Sequence, residues 1–464
     1  MTHARSLAGF VCGASREDLS PEVVEALGIR ILDSLACALG ALGMEPVRLL
    51  RAHLAEMGGR PLCTSIGGEK TAPPGAAFYN GALVRYLDFN DSFHAPSETC
   101  HPSDNLAPVL AAAEHAGASA SGFLVGLAVA YQVHCRLSQV APVRDRGFDH
   151  VTHGAFSATA GACRALGMDA DSTAHALAIA GTANNALRVA RTGELSHWKG
   201  LAFPHVAGAA LRAALLARRG ITGPPEVFEG NKGWRETVSG NWELDWSREG
   251  LDAVPGTDLK RYNAETHSQS AIEGLLELLD QEDVEASEIR EIRVEIFRTA
   301  YRIIGGGEEG PKKNVTTKEQ ADHSLPYLLA VAALDREVLP RQYEPDRIGR
   351  DDVQDLLRRV EVESSEEMTQ RFPDEHPCRV SVTTVDGTIH TVEKSSYRGF
   401  HDQPPAWEPT REKLLELGSG AADEKTLREL CRRVRGLGDE GDLPGLLALL
   451  ASVETPGRGG GPGG

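Results

Sequence analysis

Apolar positions recur at helical spacing through a long run of the chain, from Pro21 to about Gly220. The run contains PEVVEALGIRILDSLACALGAL, LAPVLAAAEHAGASASGFLVGLAVAYQVHCRL, HGAFSATAGACRALGM, STAHALAIAGTANNAL and FPHVAGAALRAALLARRG. These segments are rich in alanine and glycine, and small residues let helix axes approach closely, so the pattern predicts a compact helical domain with crowded packing. Ser20 followed by Pro21 fits a cap and first-turn pair. The texture changes after about residue 268. Glu288 to Phe297 alternates at Ile292, Val294 and Ile296, the period of a half-buried strand, and RVSVTTVDGTIHTVEK reads as a hairpin about Asp386-Gly387. A helical stretch, ADHSLPYLLAVAALD, lies between them. After Trp407 the pattern returns to charged amphipathic helix. The expected architecture is therefore mainly α. A helical domain is formed from residues 1–266 and 401–455, a smaller α+β domain spans 267–400, and residues 456–464 make a flexible Gly/Pro tail.

Composition narrows the partners. Against 48 Lys and Arg stand 66 Asp and Glu, a formal charge of −18, and no long basic block breaks that balance, so nucleic acid and anionic membranes are poor partners. Eight scattered cysteines show no metal-type spacing and suit reduced thiols in a cytoplasmic protein. No run of the sequence is expected to reach the length of a membrane span.

Titratable residues are crowded into YLDFNDSFHAPSETCHPSDN, Tyr86 to Asn105, directly before an Ala-rich apolar stretch. Three other segments share the layout of polar residues before a helix rich in small residues. They are His197 to Lys199, His267-Ser268, and Asp322 to Ser324. Helix starts carry unpaired N–H groups and partial positive charge, and Ser270 with Glu273 has capping-box spacing. If these starts converge, Lys199, Arg188 and Arg191 would complete a pocket for a ligand with several carboxylates. Asp88, His101, His267 and Tyr327 would then supply proton transfer beside a carboxylate, followed by departure of hydroxide, a carboxylate or another group, a choice the pattern leaves open. Asp91, Glu98 and Asp104 suit helix capping or solvent as readily as chemistry. A lysine at a helix start opposes the helix dipole unless an anion compensates, which favours a ligand role for Lys199. His94 with His101, or His150 with His153, could ligate a metal, but H-E-x-x-H is absent and no metal is expected. Gly305 to Gly307 lacks a surrounding nucleotide-binding pattern and reads as a flexible loop.

RYLDFNDSFHAPSETCHPSDN, GFDHVTHGAFSATAGACRALGM, the Lys199 segment, YNAETHSQSAIEG and ADHSLPYLLA resemble, in order, the successive motifs of the MmgE/PrpD family. That family includes 2-methylcitrate dehydratase and cis-aconitate decarboxylase. The resemblance implies a large helical domain from both chain ends, a smaller α+β lid, an active site between them, a homodimer, and no metal or organic cofactor. It implies active-site positions at Asp88, Ser92 and His101, the family lysine at Lys199, the histidine of an H-S-Q motif at His267, and a tyrosine after D-H-S at Tyr327. His150 sits in a G-F-D-H-V motif similar to one in the dehydratase branch, and Ser92, His150, Arg188, Arg191 and Ser268 are expected to bind substrate. The implied activity is a lyase on a small polycarboxylate, by dehydration of 2-methylcitrate or a related hydroxy acid. The alternatives are a decarboxylase or an isomerase or epimerase using the same pocket, a non-catalytic dimeric binding protein of the same fold, and a metal-dependent hydrolase.

Overall fold

The computed structural model describes residues 2–96, 98–307, 309–439 and 441–454. The segment 456–464, expected to form a flexible tail, lies outside the described residues. The fold is mainly α, with 59% helix against 8% strand, as the patterning predicts.

The chain divides into two compact units. One takes the residues up to Arg188, Gly200–Leu259 and those from Pro405 on; the other takes Val189–Lys199 and Lys260–Pro404. The second unit therefore starts seven residues before the expected boundary at 267 and also claims 189–199, which the sequence reading gave to the helical part. Local bonding explains both differences. Asn263 N–H donates to Val338 O (2.9 Å) and Glu265 N–H to Asp322 O (3.0 Å), while Lys199 Nζ pairs with Asp322.

In the first unit, helix Pro21–Gly40 begins as expected, with Ser20 Oγ accepting from Val23 N–H (3.2 Å) and Pro21 in the first turn. It is buried on nearly every face, as a central helix should be. Helix Trp407–Gly418, from the far end of the chain, packs along it. A Cβ on Gly28 would lie 2.9 Å from the Trp407 ring, and Lys413 Nζ reaches Asp33 Oδ1 (2.6 Å) and Phe89 O (2.7 Å). Two short strands, β1 (Phe93–His94) and β2 (Thr99–Cys100), pair antiparallel inside the titratable segment. Among the described residues, helix Trp198–Ala217 is long and apolar enough by composition to cross a membrane, contrary to the expectation that no stretch would be; most of it is buried in the protein.

The crowding expected of the small residues is sharpest where helices Ala120–Val140 and Val151–Ala165 meet. A Cβ on Gly161 would lie 2.7 Å from Gly126 O and 2.6 Å from Val109 Cγ2. Gly161→Ala gains about 1 kcal/mol of helix propensity. It must also move backbone and a packed valine, an overpacking cost at the upper end of roughly 1–3 kcal/mol. A net loss of about 2 kcal/mol is expected, read as a lower urea midpoint; an unchanged midpoint would show that the crossing has slack.

The second unit is built on one sheet, ordered β4-β3-β5-β6, of β3 (Ile289–Ile296), β4 (Val360–Ser364), β5 (Cys378–Thr384) and β6 (Ile389–Lys394). β3 and β4 run parallel with Ile292 opposite Val360, and β5 lies antiparallel with Val380 opposite Val294. β5 and β6 form the expected hairpin, turning at Gly387 with φ 93°, where glycine carries no Cβ penalty. Ile292, Val294 and Ile296 point into a core shared with helices Gln269–Gln281 and Leu325–Asp335. The Ser270–Glu273 capping box does not form. Helix 269–281 starts at Gln269, Ser270 Oγ bonds His376 Nδ1 (2.8 Å), and Glu273 takes Lys394 and Arg398 (3.2 Å each).

Candidate active site

Helix Pro73–Tyr86 ends where the titratable segment begins. Asp88, two residues on, adopts a left-handed backbone (φ 56°), which an aspartate tolerates but which favours glycine. Its carboxylate accepts from Arg85 Nη1 (2.7 Å), and Arg85 Nε lies 3.5 Å from Asp104 Oδ2. Burial alone would lower the Arg85 pKa, yet the two carboxylates outweigh it and raise it. Asn90 joins the network, donating to Ser103 Oγ and Asp104 Oδ1 (2.9 Å each). None of Asp91, Glu98 and Asp104 faces solvent; all three are buried.

His101 sits just before the turn that leads into helix Leu106–Ala116. Its Nδ1 is 2.7 Å from Asp91 O and 3.4 Å from Ser92 Oγ. Ser92 itself is fixed by a two-way backbone bridge to Asp258 (2.8 Å both ways). His150, at the start of helix 151–165, holds its Nδ1 3.1 Å from Asp149 Oδ1 and meets the His101 ring edge-on at 5.3 Å. His134 receives Asn105 Nδ2–H (3.1 Å) and stacks on Phe203, as expected of a packed histidine. His153 is held neutral: burial drops its pKa to about 3, and its Nε2 is 2.7 Å from Ala141 O. Burial pushes Glu98 up to about 7, only partly offset by Arg188 and Arg144. The first unit thus brings together Asp88, Ser92, His101 and His150, with Arg188 in electrostatic reach of Glu98.

The second unit gathers the remaining residues around two carboxylates. Lys199 is buried in the first turn of helix 198–217, with Nζ 2.6 Å from Asp322 Oδ1 and 2.9 Å from His323 Nδ1. Asp322 is thus an anion that compensates the helix-start lysine. Lys318 takes the other oxygen (2.6 Å), and although burial would raise Asp322, these lysines and His323 hold it well below the usual carboxylate range. Glu265 receives His267 through both oxygens, Oε1 to Nδ1 (2.6 Å) and Oε2 from the backbone N–H (2.8 Å). Burial is again overcome, by His267, His323 and Lys260, and Glu265 sits at about 2. Lys312, lowered by burial, feels Glu309, Glu265 and Asp322. Four lysines therefore bear on Asp322 and Glu265, two of them already bonded to Asp322. Arg191 is also buried in this unit.

Two expected site residues are committed elsewhere. The Tyr327 hydroxyl donates to Gln342 O inside the core, its backbone N–H is capped by Ser324 Oγ (3.1 Å), and burial raises its pKa. Ser268 Oγ donates to Glu265 O (2.6 Å) and closes its own turn, leaving its proton occupied. Sequence reading passed over Arg85, Tyr131, Lys260, Glu265 and Lys312. Arg85 lies three residues before Asp88 and Glu265 two before His267, spacings that could have flagged both.

Glu265 has a pH consequence. Its folded pKa is depressed from 4.5 to about 2, so its stabilisation is present above pH 4.5 and disappears as pH falls towards 2. Glu265→Gln is expected to melt below wild type at pH 7, by at most roughly 3 kcal/mol, with the difference closing between pH 4.5 and 2. A constant difference across that range in thermal melts would contradict it.

A large helical unit from both chain ends and a smaller α+β unit, each holding buried acid–base residues, define a class of two-unit, mainly helical proteins with histidine–carboxylate sites. The chain belongs to the MmgE/PrpD family: residues 5–247 match the MmgE/PrpD N-terminal domain and residues 262–435 the MmgE/PrpD C-terminal domain. It is 28% identical to 2-methylcitrate dehydratase of Cupriavidus necator over 77% of this chain and 78% of that protein. To the Escherichia coli (strain K12) 2-methylcitrate dehydratase it is 28% identical over 71% and 70%. To mouse cis-aconitate decarboxylase it is 23% identical over 96% and 92%. These relatives support a lyase-type activity.

Proposed function

We propose that the protein is a lyase that removes water from 2-methylcitrate or a related hydroxy polycarboxylate. The observation that carries this reading is the convergence of Lys199, Lys260, Lys312 and Lys318 on Asp322 and Glu265 in a chain of net charge −18. Such a surplus of ammonium groups suits a ligand bearing several carboxylates. Lys199 exchanges Asp322 for a substrate carboxylate while Lys318 keeps Asp322 neutralised; within the first unit, Arg188 and Ser92 offer anion contacts of their own. His101, oriented through Nδ1, takes the proton beside a carboxylate at Nε2, with Asp88 and Arg85 fixing the local charge. His267, backed by Glu265, gives a proton to the departing hydroxide, so water leaves and a carbon–carbon double bond remains. Each step moves a proton or hydroxide and asks for no bound metal or organic cofactor. Homodimerisation and a cytoplasmic setting, away from nucleic acid and membranes, complete the reading.

A second reading, decarboxylation of a cis-aconitate-like acid, draws on the near full-length match to cis-aconitate decarboxylase. Proton NMR of metal-free protein with 2-methylcitrate, citrate and cis-aconitate in deuterated buffer separates them. Appearance of the unsaturated acid from a hydroxy acid supports dehydration, and carbon dioxide loss from cis-aconitate supports decarboxylation. No change with any of them removes both.

A further inference from the structure

We infer that Asp91 is a positioning residue for His101, acting with Tyr131 to set the tautomer and orientation of its ring. The inference rests on the reading of His101 as the proton-transfer group. A carbonyl oxygen can only accept, so the 2.7 Å contact between His101 Nδ1 and Asp91 O places a proton on Nδ1; in the neutral ring the lone pair then lies on Nε2. The same residue anchors that carbonyl through its side chain. Asp91 Oδ1 accepts from Ser103 N–H (3.0 Å) and Oδ2 from the Tyr131 hydroxyl (2.8 Å). One residue thus grips the backbone two positions beyond His101 while its own carbonyl holds the imidazole. Tyr131 is supplied by the rigid helix 120–140 rather than by a loop.

Asp91 and Tyr131 are both fully buried. Burial pushes the Asp91 carboxyl up to about 6, with Ser103, Tyr131 and Arg30 limiting the rise. A carboxylate kept at that cost ten residues from the histidine it serves is a poor loop filler and a good clamp. A loop staple and a clamp make different predictions. A staple changes stability alone, whereas a clamp also changes the histidine tautomer.

The test uses full-length protein labelled with 15N at histidine and long-range proton–nitrogen correlation of the imidazoles. The His101 signal is identified by its loss in His101→Asn. Wild type is expected to show the Nδ1-protonated pattern. Tyr131→Phe and Asp91→Asn are expected to mix the two tautomers and to lower kcat by about 10-fold and up to about 100-fold, with KM within about twofold. An Nε2-protonated His101 in wild type overturns the inference. So do unchanged tautomer and kcat in both variants with native thermal transitions. If Asp91→Asn does not fold, Tyr131→Phe decides alone. The NMR arm needs no substrate, so a wild type inactive on every acid refutes the lyase reading while the tautomer result still judges the clamp.

Discussion

Lys199→Met is expected to lower kcat/KM by about 100- to 1000-fold for whichever polycarboxylate the wild type turns over, the usual loss when one buried charge stabiliser is removed. The fold should survive. Breaking a buried ion pair commonly costs about 3–5 kcal/mol, but Asp322 keeps Lys318 at 2.6 Å and His323 at 2.9 Å, so the loss belongs at or below the bottom of that range. Lys199→Arg should not rescue turnover, because a planar five-donor fork cannot occupy the point between Asp322 Oδ1 and His323 Nδ1 that a single ammonium fills. Steady-state kinetics beside a thermal melt checks both parts. Wild-type turnover in a folded Lys199→Met would remove this lysine from the mechanism.

His101→Asn should lower kcat by about 100- to 10,000-fold, the range for losing a general base, and should abolish deuterium incorporation at the substrate carbon. The asparagine amide can still donate to Asp91 O, so the turn before helix 106–116 keeps its anchor and the melting temperature should change little. Continued carbon-bound exchange in this variant would point to a base other than His101. A large fall in melting temperature would instead show that the ring is chiefly structural.

Much of this was legible in the sequence where the interactions are local. The helical run, the strand at Ile292 to Ile296 and the Asp386-Gly387 hairpin all carry their period or turn chemistry within a few residues. The crowding of Asp88, Ser92 and His101 into one segment is a local signal of the same kind. Pairings across long separations left no such trace. Lys199 and Asp322 are 123 residues apart and Asp91 and Tyr131 are 40 apart, so neither partner could be named from periodicity. Spacing also misled. Ser270 and Glu273 stand where a capping box could form, but His376, Lys394 and Arg398 offer them better partners from the sheet side of the unit.

Lys413 and Asp33 are separated by 380 residues, and the central helix 21–40 meets its partner 407–418 only when that late segment exists. At roughly 5–20 residues per second, a ribosome needs about 20–80 s to deliver it. During that interval the nascent chain displays an apolar helix face with its cover not yet made, long enough for aggregation to compete with folding. Synthesis of this protein is thus a waiting problem, in which a holding chaperone should raise the yield more than any change near the acid–base residues.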